Sequence, residues 1–384
     1  EDDESRFIAT VEDAYIELKT DVNGKTAIYY GPPLDNNGLQ QRIDAATGGT
    51  VKIRGTVKMY DEVVVKNSVT IVGTGNAILS RQDDNDSRLM TIDAENVTLE
   101  NLVFDGHNKK TSLEAVLINS GKSLTMNNCT VRNNISRYDG GGIKNYGTLT
   151  LDNTNVDDNE VYIHDHGQNR ESLGGGIYNE GTLTINSGSV SRNTVTKAGG
   201  GIYSKGSMTI NNGTIKGNKV TGDFYMGPDH NNNTGGGGIY SIGGEFKMTG
   251  GTVESNTVNR RNSSSTCYGG GIYATDFVIN GGTISNNTSQ VYGGGISGND
   301  AKINGGIIKG NTAEYGGGVA GGFIEITSGE ILQNKAEKYG GGLYIRDSIK
   351  MTGGKISENT ASVDGGGVYN EGTFEVRDAA TVID

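Results

Sequence analysis

Between Val131 and Gly367 the chain repeats one phrase nine times: Val or Ile, two residues, Asn, a short gap, then Gly-Gly-Gly and an aliphatic residue. The copies run from Val131, Asn134 and Gly140 to Ile356, Asn359 and Gly365, and where no loop intervenes they recur every 23 to 25 residues. A unit this short cannot bury an apolar face alone. Such units stack, each covering the next, and the product is a solenoid rather than a globular core.

One unit shows which solenoid. From Gly174 to Asn193 there are three strand-like pieces, around Ile177-Tyr178, Leu183-Thr184-Ile185 and Ser189-Val190, separated by Asn, Gly and Ser. Alternation points Ile177, Leu183, Ile185 and Val190 one way and Tyr178 and Thr184 the other. Three strands per turn, each pairing with its copy in the next turn, predict an all-β, right-handed parallel β-helix, the hand following from the crossover rule. The Asn column is expected to be buried and bonded to itself along the axis, and the glycine triplets to let the chain turn and the coils approach.

The rest of the chain fits this plan. Residues 1–48 read as an N-terminal cap with one helix, Gly38 to Thr47, covering the first turn's exposed core and edge. Residues 49–384 read as the β-helix, irregular to about 130 and regular afterwards; the sequence stops inside a tenth unit, which suggests a piece of a longer protein. Gly at 63 residues and 33% hydrophobic content would suit disorder, but the glycines keep register with the aliphatics. A formal charge of -12 with scattered Lys and Arg argues against nucleic acid, and no apolar run is long enough to span a membrane. Cys129 and Cys267 are five repeats apart, roughly 24 Å along the stack, too far for a disulfide.

The paired [VI]-x-x-Asn and Gly-Gly-Gly-[IVL] motifs resemble the FxxN and GGA[ILV] repeats of chlamydial polymorphic outer membrane proteins. They are also similar to the Gly-Gly-rich β-helix repeats of large surface proteins from Gram-positive gut bacteria. The resemblance covers residues 131–367, with Val or Ile in place of Phe and Gly in place of Ala. It implies a β-helix at the bacterial cell surface, extracellular and frequently an adhesin.

Measured against the repeat, three corners are expanded: 160–173, 219–235 and 257–268. All leave the same corner of the helix, and insertions stacked on one edge commonly form a binding face. The loops carry Tyr162, His164, Asp165 and His166; Phe224, Tyr225, Asp229 and His230; and Arg260 with Arg261. His164, Asp165, His166, Asp229 and His230 are chemically able to ligate a metal, but the His-Asp-His spacing lacks the placement that puts two ligands on one face, so neither metal nor cofactor is expected.

Tyr178, Tyr203, Tyr240 and Tyr273 follow the aliphatic of successive triplets, and Tyr344 and Tyr369 continue the series after a break at Ser297 and Ala320. Alternation predicts a column of exposed rings about 4.8 Å apart, which either stiffens the sheet or offers a strip for sugar rings or a protein partner. A second column, Tyr268, Tyr292, Tyr315 and Tyr339, precedes the triplets and reads as structural. The expectation is therefore a binding module that engages a host protein or glycan through the loops and adjoining tyrosines. A polysaccharide-degrading enzyme on the same fold is the alternative, with Asp157 and Asp158 or the Asp83, Asp84 and Asp86 cluster as candidate carboxylates.

Overall fold

The computed structural model describes residues 15–20, 26–31, 34–82, 86–162, 172–222, 233–262, 265–377 and 382–383. Its body is a parallel β-helix of about 12 turns. A representative coil carries strands Ile177–Asn179, Thr182–Ile185 and Gly188–Ser191. Each pairs in parallel with its copy one coil on, Ile177 with Ile202, Leu183 with Met208 and Val190 with Ile215. Ile177, Leu183, Ile185 and Val190 are fully buried, as alternation requires.

Each regular coil adds a short fourth ladder just after the Asn: Glu160–Val161, Thr194–Val195, Lys219–Val220, Thr257–Val258 and their successors. From Glu160–Val161 to Thr288–Ser289 only one or two residues pair, too few to reveal an alternation. Its valines form a second apolar cluster with Cys267 and Val291, outside the main core and beneath the corner where the loops leave. In four later coils the first two strands fuse, as Ile272–Ile279, Ile296–Ile303, Val319–Ile326 and Leu343–Met351.

The Asn column is the hydrogen-bonded spine. Asn218 Nδ2 donates to Oδ1 of Asn256 at 3.0 Å and to the Val190 carbonyl of the preceding coil at 2.8 Å, while its backbone N–H also reaches Asn256 Oδ1 at 2.9 Å. The same bonds recur from Asn159 to Asn334, so these buried amides are satisfied by their own copies. The triplet beside the spine is glycine because of its neighbours. Gly199 has φ +67°, and a Cβ on Gly200 would sit 2.3 Å from the Gly237 carbonyl oxygen.

At the N-terminal end the helix spans Asn36–Ala45, two residues earlier at each end than the sequence suggests, because the Asp35 side chain caps it by accepting from the Gly38 N–H at 2.8 Å. Leu39 and Ile43 are fully buried on the first coil. Gln40 bonds the edge strand as another strand would, donating to the Val64 carbonyl at 2.9 Å and accepting from the Val64 N–H at 2.8 Å. Before the helix, Tyr15–Thr20 and Thr26–Gly31 form an antiparallel pair. Cys129 and Cys267 are both free and buried, and burial pushes the Cys129 thiol up to about 11.

Candidate functional site

The residue after each triplet's aliphatic faces away from the core, which places Tyr178, Tyr203, Tyr240 and Tyr273 in register. Their ring centroids are 5.4, 5.3 and 4.6 Å apart, and the planes lie within 20° of parallel. The expectation that these rings are exposed is corrected: Tyr178 and Tyr203 are only 4% exposed, and Tyr240 and Tyr273 are half-buried. Alternation gives the direction of a side chain but not what covers it. Here the corner residue five positions earlier is Leu173, Ala198 or Gly235, and the rings fold onto it. A Cβ on Gly235 would lie 2.7 Å from the Tyr240 ring.

The hydroxyl of Tyr178 donates to Glu180 and accepts from Lys205 Nζ at 3.1 Å. Burial and the Glu180 carboxylate push the phenol well above its ordinary range, while the bonds from Tyr178 and Lys205 hold Glu180 below its own. Tyr178 and Tyr203 are thus spent on covering the scaffold.

At Tyr268 the arrangement changes. The corner position itself becomes aromatic, and Tyr268, Tyr292, Tyr315 and Tyr339 stack at 5.6, 5.1 and 6.0 Å. In the same coils the position after the triplet shrinks to Ser297 and Ala320 before Tyr344 resumes it. The two columns share one layer of space, so one supplies the rings where the other is small. The exchange is incomplete at the switch and leaves a notch of about 260 Å³. Tyr268, Tyr273, Tyr292 and Tyr344 wall it, and Ser297, Ala320 and the backbone of Gly298 and Gly321 line its base.

The remaining lining is polar, from Thr266, Asn299 and Arg346. Arg346 sits at a bulge: Ile345 pairs with Gly321 but Ser348 with Phe323, so the strand holds one extra residue there. Bulges re-aim side chains, often beside functional sites. Among the described residues the Arg346 guanidinium makes no ion pair. Burial pushes Tyr273 and Tyr292 above the ordinary phenol range.

Of the expected loop residues, His164, Asp165, His166, Phe224, Tyr225, Asp229 and His230 lie outside the described residues. Tyr162 is half-buried with Lys110 Nζ 4.9 Å from its ring centre. Arg260 and Arg261 are half-buried at the start of the third loop, where the Arg260 N–H donates to Gln290 at 2.9 Å. The second and third loops are joined at their stems, Thr266 N–H donating to Asn233 at 3.0 Å and the Thr234 hydroxyl to the Asn259 carbonyl at 2.7 Å. The third loop then runs through Thr266 and Tyr268 into the notch. Structure thus joins Tyr273 to the loop corner and leaves Tyr178, Tyr203 and Tyr240 out of the notch. It adds Tyr292, Tyr344, Asn299 and Arg346, for which the break at Ser297 and Ala320 was the available signal.

The candidate carboxylates hold coils together. Asp157 accepts from the hydroxyls of Ser189 and Ser191 at 3.1 and 2.6 Å, and Asp158 takes a two-point bond from Arg192 at 2.8 and 2.7 Å. Asp86 accepts from Ser112, while Asp83 and Asp84 lie outside the described residues. Among the described residues, no three His, Cys, Asp or Glu side chains cluster as a metal site, and no helix is long and apolar enough to cross a membrane. No protein-family model, curated protein or solved structure matches the chain. The likeness to bacterial surface repeats rests on the repeat motifs alone.

Proposed function

We propose that the protein is an extracellular, adhesin-like binding module of a bacterial surface that holds a glycan in the tyrosine-walled notch beside its loop corner. The observation that carries this reading is the switch between aromatic columns, which leaves a gap lined by four tyrosines where Ser297 and Ala320 stand in place of rings. Ligand pockets of about 300 Å³ and more serve drug-sized molecules, so a volume of about 260 Å³ suits one pyranose ring. Tyrosine gives such a ring flat apolar area for its C–H face and hydroxyls for its edge. Engagement of Asp157 and Asp158 in scaffold bonds favours binding over polysaccharide cleavage at that pair.

A glycan array probed with the labelled protein tests the reading, followed by titration of any hit against Tyr292→Ala. Binding to defined saccharides that falls about tenfold or more in the variant is the expected result. No bound glycan, or equal binding by the variant, overturns it.

A further inference from the structure

We infer that the sugar held in the notch carries a carboxylate and that Arg346 is its partner. This rests on the reading of the notch as a glycan site and adds the charge of the ligand. The protein carries a formal charge of -12, yet the eleven residues lining the notch include one charged side chain, and it is a cation. Among the described residues, some cations on the coils pair with acids on the same or neighbouring coils, as Arg132 with Asp105, Lys216 with Glu254, and Lys350 with Glu325, while others such as Lys247 and Lys355 do not. Arg346 is one of the latter, and it is the one that lines the notch, where the strand carries a one-residue bulge.

The neighbouring chemistry narrows the ligand. Four tyrosines around a gap would also suit a cationic group by cation–π attraction, but the guanidinium would repel it. A guanidinium has five donors and no acceptor, in a fork that fits a carboxylate at two points. The Asn299 amide supplies an NH2 group with two donors and a carbonyl oxygen acceptor for ring hydroxyls. A six-membered ring bearing one carboxylate, of the uronic acid kind, meets all of these at once: its C–H face on tyrosine, its hydroxyls on the amide and on phenols other than Tyr344, whose hydroxyl is given to Glu371, and its acid on Arg346.

The test is a paired titration of methyl β-glucuronide and methyl β-glucoside, followed by NMR of the tyrosine ring protons at low salt. The glucuronide is expected to bind about tenfold tighter than the glucoside, and the preference to vanish in Arg346→Gln. Because Arg346 is exposed, the preference is also expected to weaken as salt is raised. Equal affinity for the two sugars overturns the carboxylate inference and leaves the glycan reading standing. A preference that survives in Arg346→Gln overturns the assignment of the partner. If neither sugar perturbs the rings and the array is also blank, the glycan reading itself fails.

Discussion

Single residues in this fold matter in proportion to how many coils they bond. Asn218 satisfies the Val190 carbonyl behind it and is bonded by the Asn193 amide, and its removal leaves those buried groups unpaired. Asn218→Ala is expected to lower stability by about 3 kcal/mol in urea unfolding, whereas Asn211→Ala, in the exposed Asn186–Asn211 bond, should change it by under about 0.5 kcal/mol. Asp105 gives the fold an acid-sensitive point. Burial raises its pKa, but bonds from the His107 N–H, Asn133 and Arg132 outweigh that and leave it below the ordinary aspartate range. A depressed folded pKa means that its stabilisation is present above the unfolded value of about 3.9 and is lost as pH falls through the folded one. The stability gap between wild type and Asp105→Asn should therefore be steady near neutrality and close as unfolding is repeated below about pH 4.

At the scale of elements, what the sequence discloses depends on whether an element repeats. The Asn spine and the triplets were legible because each recurs at one place in every unit, and the period of two assigned the core faces. That period fails at the triplet, where Gly199 and its equivalents take positive φ; hence the two tyrosine columns, five residues apart in each coil, could not be seen to fold into one layer. The notch is a property of both columns together, and neither predicts it alone. The helix illustrates the converse: its existence was plain, but the use of Gln40 as a substitute strand edge was not. Gln40→Ala is expected to free the Val64 amide and carbonyl, cost about 1 to 2 kcal/mol, and yield edge-paired dimers in light scattering at high concentration. A monomer of unchanged stability would show that the helix's apolar face, Leu39 and Ile43, suffices to cap the stack.

For the whole molecule, stacking by like-on-like pairing makes the scaffold tolerant of exchanges that the site cannot survive. Removing residues 174–198 joins Leu173 to Gly199 and brings one copy of the repeat directly onto the next, with spine, triplet and core column all continuous. Removing residues 293–315 joins Tyr292 to Gly316 in the same way. Both proteins should keep a β-sheet circular dichroism spectrum and cooperative melting, each shorter by one coil, about 4.8 Å, in solution scattering. Their binding should differ. The first deletion lies several coils from the notch and is expected to leave glycan affinity intact; the second takes away Ser297, Gly298 and Asn299, brings Tyr344 one coil closer to Tyr273, and should abolish it. If both shortened proteins fold and bind alike, recognition resides on a surface other than the notch, and the described stems of the loops, from Tyr162 to Arg261, become the place to cut next.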